Sequence, residues 1–157
     1  MIIDTLITDR TADDVEEWNA LRQLGLPGMA EEQLAMWNAG MKGAYKASDF
    51  NRVSEAYNYL ASIMQTLGLI SSYTPLKTTW EVGETPLVEQ RAAYINGIAQ
   101  LKNAVLAIGN LPSSLDALTY TDANNIETVL INVYRRIQEM DSSIPHSGEW
   151  FSGEIDA

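Results

Sequence analysis

Three long apolar stripes with helical spacing constrain this chain more than any other feature. Phe50, Val53, Tyr57, Leu60, Ala61 and Met64 form the first, and Val88, Ala92, Ile95, Ile98, Leu101, Val105 and Ile108 the second. Ile126, Val129, Leu130, Val133, Ile137 and Met140 form the third. Steps of three and four put each set on one side of an α-helix, whereas a strand would scatter it over both faces. Helices of about 20–23 residues are about 30–34 Å long at 1.5 Å per residue. Matched lengths predict antiparallel packing around a common core.

Shorter helices precede these. Thr11 is placed to cap a helix carrying Val15, Trp18, Leu21 and Leu24, with Asp13, Asp14, Glu16 and Glu17 on its first turn and Gly25 as its stop. Leu34, Trp37 and Met41 mark a second, which weakens at Gly40 and Gly43. The first long helix runs from Ser48 or Asp49 to about Leu67, ending at Gly68. Thr85 and Pro86 predict the start of the next and Gly109 its end; Thr121 predicts the cap of the last. The predicted fold is all-α, a helical bundle of about five helices, three of them long. It occupies residues 1–141 and is followed by an extended Gly/aromatic tail at 142–157.

Residues 69–84 are long for a connection inside a bundle, and such loops commonly carry function or structure of their own. Ser71 to Thr74 and Thr78 to Val82 favour strand, so the segment is expected to be irregular or hairpin-like.

Few residues offer chemistry. There is no cysteine, hence no disulfide, thiolate nucleophile or cysteine-bound zinc, and His146 is the only histidine. Paired-histidine metal sites and Ser-His-Asp triads need more than this. The paired carboxylates, Asp13/Asp14/Glu16/Glu17 and Glu31/Glu32, fall at predicted helix starts, where the dipole favours them. Glu81 and Glu84 flank Trp80 in the loop. Asp122, Asn124, Asn125 and Glu127 read as a cap followed by a solvated face. Gly25-Leu26-Pro27-Gly28 lacks the lysine of a phosphate loop. No catalytic residue, metal ligand or cofactor is assigned.

Ten basic against 21 acidic residues give a net charge of -11, which repels nucleic acid and anionic membranes alike. Met1-Ile2-Ile3-Asp4 has neither the charged start nor the apolar run of a signal peptide, so synthesis in the cytoplasm is expected. The aromatics divide by position. Trp18, Trp37, Tyr57, Tyr94 and Tyr134 follow helical spacing and are expected in the core. Tyr73, Trp80, Trp150 and Phe151 lie in irregular segments and are the candidate partner-binding residues, for a protein surface or for stacking on a sugar.

Several phrases carry a resemblance. They are Leu6-Ile7-Thr8-Asp9-Arg10-Thr11, the run from Glu32 to Leu60 with Trp37-Asn38-Ala39-Gly40-Met41 and Asp49-Phe50-Asn51-Arg52-Val53, Lys77-Thr78-Thr79-Trp80, Leu118 to Glu127, and Ser147-Gly148-Glu149. Together they resemble minor structural proteins of phages and prophages from Firmicutes and related gut bacteria. The resemblance implies a non-enzymatic virion protein of the tail or baseplate region, acting by protein–protein contact in assembly or host attachment. Its partners would be other virion proteins or further copies of itself. The alternative is a module that contacts host-surface carbohydrate. The group has no agreed active-site residues, so nothing catalytic carries over.

Overall fold

A computed structural model describes residues 1–141, and everything below refers to them. A 3-10 turn at Ile2–Thr5 leads to α1 (Ala12–Leu24) and, after a second such turn at Leu26–Gly28, to α2 (Glu31–Ala39). The long helices are α3 (Ala47–Thr66), α4 (Val88–Val105) and α5 (Tyr120–Met140). The described residues thus form an all-helical bundle of five α-helices, three of them long. The expected tail at 142–157, with His146, Trp150 and Phe151, lies outside the described residues.

The three long helices carry the core. Val53, Tyr57, Leu60 and Met64 of α3 pack with Ile98, Leu101 and Val105 of α4 and with Ile126, Val129, Leu130, Val133 and Ile137 of α5. Each of these is almost wholly removed from water, so the stripes do bury one another. The ends of two stripes stay outside, and so do Val88, 67% exposed, and Ala92 in the first turns of α4. Ile108 is 78% exposed because α4 stops at Val105, where Leu106 turns left-handed at φ 56°, before Gly109 is reached. Met140, in the last turn of α5, is also exposed.

The expected antiparallel packing is not what the helices adopt; α3, α4 and α5 run parallel. Arg52 of α3 pairs with Glu127 of α5, and seven residues further along each helix Tyr59 lies beside Tyr134, where it adds to burial in raising the Tyr134 pKa. The Phe50 ring sits 5.3 Å from that of Tyr94 in α4, and further along both helices Tyr57 lies against Gly97. A Cβ at position 97 would come within 2.9 Å of that tyrosine ring, so glycine there is what lets α3 and α4 approach. At the far end Arg136 of α5 donates to the Val105 carbonyl at 3.0 Å. Parallel neighbours need connections as long as the helices themselves, and residues 67–87 and 106–119 supply them by running back along the bundle.

Local chemistry sets the helix starts, at positions displaced from those expected for α4 and α5. Thr11 and Asp14 cap α1 reciprocally, as do Thr119 and Asp122 at α5; Thr121 already lies inside the helix. Before α4, the Gln90 side chain accepts from the Leu87 N–H, and Thr85 and Pro86 belong to the connection. Helices α1 and α2 pack chiefly on each other, with Trp18 and Trp37 stacked at 6.1 Å and only half-buried instead of in the core. Gly43 lets the following turn approach α1: a Cβ there would meet the Asp14 carbonyl oxygen at 2.0 Å.

Candidate functional site

Residues 74–80 form the wall of the candidate site, and they are held by side chains where a neighbouring strand would ordinarily do so. Among the described residues there is no strand ladder, so the irregular form of the expected loop is the one adopted. Asn58 of α3 donates to the Leu76 carbonyl and accepts from the Leu76 N–H, at 2.9 Å each. One end of the segment further on, Asn51 donates to the Trp80 carbonyl at 2.9 Å and accepts from the Trp80 N–H at 2.7 Å. A carboxamide carries one acceptor and a donor group, so it meets a backbone as another peptide unit would.

The two clamps also define the conformation. Asn51 and Asn58 are seven residues apart, about 10.5 Å along a helix, whereas the residues they hold are four apart. Only extended chain, at ~3.3 Å per residue, spans that gap. Burial follows the same rhythm: Leu76, Thr78 and Trp80 are half-buried, and Lys77, Thr79 and Glu81 are exposed. The device recurs near the N-terminus, where Asn124 of α5 holds both backbone groups of Arg10 at 2.9 and 3.0 Å.

Between this wall and the first turns of α4 lies a cleft of about 310 Å³. Phe50, Trp80 and Tyr94 give it an aromatic lining, Pro75 and Pro86 narrow it, and Glu89 stands at its rim. Its volume is at the low end of the ~300–1,000 Å³ range of small-molecule sites and suits one large apolar side chain. Ser54, also in the lining, is buried with its hydroxyl unpartnered. Trp80 packs on Phe50 at 6.3 Å, and the Lys77 ammonium lies 4.3 Å over the Trp80 ring while pairing with Glu84 at 2.7 Å. Hydrogen bonds from Lys77 and from the Glu81 N–H hold the Glu84 carboxyl below its usual pKa.

Of the four expected partner-binding residues, Trp80 reaches this cleft. Tyr73 does not: it packs edge-on against Tyr57, 6.2 Å away, and joins the core. Trp150 and Phe151 fall outside the described residues.

A buried charge cluster went unforeseen. Glu127 is fully buried and not on a solvated face; it accepts from Arg52 Nε at 2.9 Å, from the Ile7 N–H at 3.0 Å and from Arg10 at 2.7 Å. Asp49, also fully buried, pairs with Arg52 at 2.7 Å and Arg10 at 3.3 Å. Burial opposes the Arg52 charge, but hydrogen bonds and charges from Glu127 and Asp49 outweigh it and raise its pKa. Beside the cluster the Tyr45 and Tyr94 hydroxyls hydrogen-bond each other, and burial raises the pKa of both. Two arginines facing two carboxylates leave neither carboxylate open to a substrate. The cluster ties residues 7–10, α3 and α5 together.

Asp122 caps α5 as expected. Among the described residues no group of three or more His, Cys, Asp or Glu side chains could hold a metal ion, and no helix is long and apolar enough to cross a membrane. No family model, curated protein or solved structure matches the chain.

Proposed function

We propose that the chain is a non-enzymatic structural or accessory protein of a phage virion, in the tail or baseplate region, working through protein–protein contact. The virion setting rests on the resemblance of its sequence phrases. The contact role rests on one observation: a rigidly clamped extended segment that walls an aromatic cleft, with Trp80 between them. Rigid presentation lowers the ordering cost of docking a partner.

Carbohydrate contact is the less supported reading. Stacking on a sugar needs an open aromatic face, and Lys77 covers one face of Trp80 while Tyr73 is packed on Tyr57. The test is mass spectrometry of purified particles from a host carrying the gene, with wild type beside Trp80→Ala. The protein should be found in particles, and the variant should enter them less well. Protein that accumulates in the lysate and stays out of particles would refute the virion role. Normal incorporation of the variant with lost cell adsorption would favour carbohydrate.

A further inference from the structure

The clamped segment has a second edge. In extended chain, residues of one parity direct both backbone polar groups to one side and their neighbours to the other. Leu76 and Trp80 turn theirs to Asn58 and Asn51, so the Pro75 carbonyl and both groups of Lys77 and Thr79 point away from α3. Among the described residues the N–H groups of Lys77 and Thr79 meet no protein acceptor. Most lone extended segments on a surface are mobile; this one is fixed from behind, and its other side has no partner among the described residues.

From this we infer that residues 75–79 take up an extended segment of a different protein as an added strand. That segment places an apolar or aromatic side chain in the Trp80 cleft and a basic residue beside Glu89 in its lining. The inference rests on the contact reading above and names its partner class. Main-chain pairing of this sort gives affinity, and pockets for alternate side chains give specificity. The cleft lies next to the edge and shares Pro75, Lys77 and Trp80 with it. Charge argues for the basic residue: Lys77 is already paired with Glu84, whereas Glu89 is exposed and makes no ion pair among the described residues. A second copy is a poor occupant. Two chains of charge -11 repel each other, whereas a basic segment is attracted.

The experiment selects short randomised peptides from a displayed library on the 157-residue chain and measures the enriched peptides by calorimetry. Enriched sequences should alternate apolar and polar residues, lack internal proline and carry lysine or arginine beside the anchor. Thr79→Pro removes the outward N–H. It should weaken binding about tenfold or more while the unfolding midpoint stays put. N-methylation of the peptide amides that face the edge should do the same on the wild-type chain, which keeps the test valid even if the variant folds poorly. Peptides that bind Thr79→Pro and wild type equally, and tolerate N-methylation, would overturn strand addition while leaving contact at Trp80 standing. Peptides that also ignore Trp80→Ala, or a library that enriches nothing, would overturn both.

Discussion

Asn58 holds both backbone polar groups of Leu76, at 2.9 Å in each direction, and so does for an irregular connection what a neighbouring strand does in a sheet. Asn51 repeats the arrangement at Trp80, and together they make the 67–87 return a fixed part of the surface. Asn58→Ala strands two backbone groups at once. It should cost about 1–3 kcal/mol in denaturant unfolding. Asn58→Asp keeps the acceptor for the Leu76 N–H but sets a second acceptor oxygen against the Leu76 carbonyl, so it should destabilise as well.

Glu127 ties the N-terminal segment to the bundle. Removing it leaves Arg10 and Arg52 buried opposite only Asp49, the situation in which breaking a buried pair costs about 3–5 kcal/mol. Glu127→Ala should show a loss of that order by chemical denaturation. Its Ile7 amide should exchange faster with solvent, because that N–H loses its acceptor.

The paired hydroxyls of Tyr45 and Tyr94 make stability depend on alkaline pH. Burial raises both pKa values above the ordinary 10.0, so the folded state holds these protons more tightly than the unfolded chain. Their contribution is therefore complete below about pH 10 and is lost as pH climbs from there toward the folded values. A Tyr45→Phe, Tyr94→Phe double variant keeps both rings and should lose stability less steeply above pH 10. Unfolding midpoints of the two proteins at a series of alkaline pH values check this.

Leu106 is left-handed at φ 56° and 77% exposed, so its side chain adds strain at the end of α4 and buries little. A left-handed residue with a Cβ costs roughly 1–2 kcal/mol relative to glycine. Leu106→Gly should raise stability by part of that, about 1 kcal/mol, visible as a higher thermal midpoint. A lower midpoint would mean that Leu106 makes contacts of its own.

The stripes made the three long helices legible, because spacing of three and four reports a buried face directly; α1 was marked by its Thr11 cap, and α2 buries no residue. Helix direction was not legible: a stripe says which side is buried and nothing about which way the next helix runs. The length of 69–84 was the available clue, since a parallel neighbour demands a long return, but by itself it reads equally as a local functional loop. Glu127 looked solvated beside Asn124 and Asn125. Its spacing from Ala123, Leu130 and Tyr134 puts it on the buried stripe, and Arg10 and Arg52 supply partners from parts of the chain remote in sequence. Trp80 was recognisable as an aromatic without a helix to bury it. The Asn51 and Asn58 clamps were not, although seven-residue spacing does place two side chains on one side of a helix.

Whether residues 74–80 present a fixed, one-sided edge is open to a direct measurement. Amide hydrogen exchange, read by NMR at single residues, separates the two parities of the segment. Leu76 and Trp80 should be protected by Asn58 and Asn51, while Lys77 and Thr79 between them exchange at close to the rate of free chain. Uniformly fast exchange across 74–80 would contradict the account, because the segment would then be loose and the cleft not preformed.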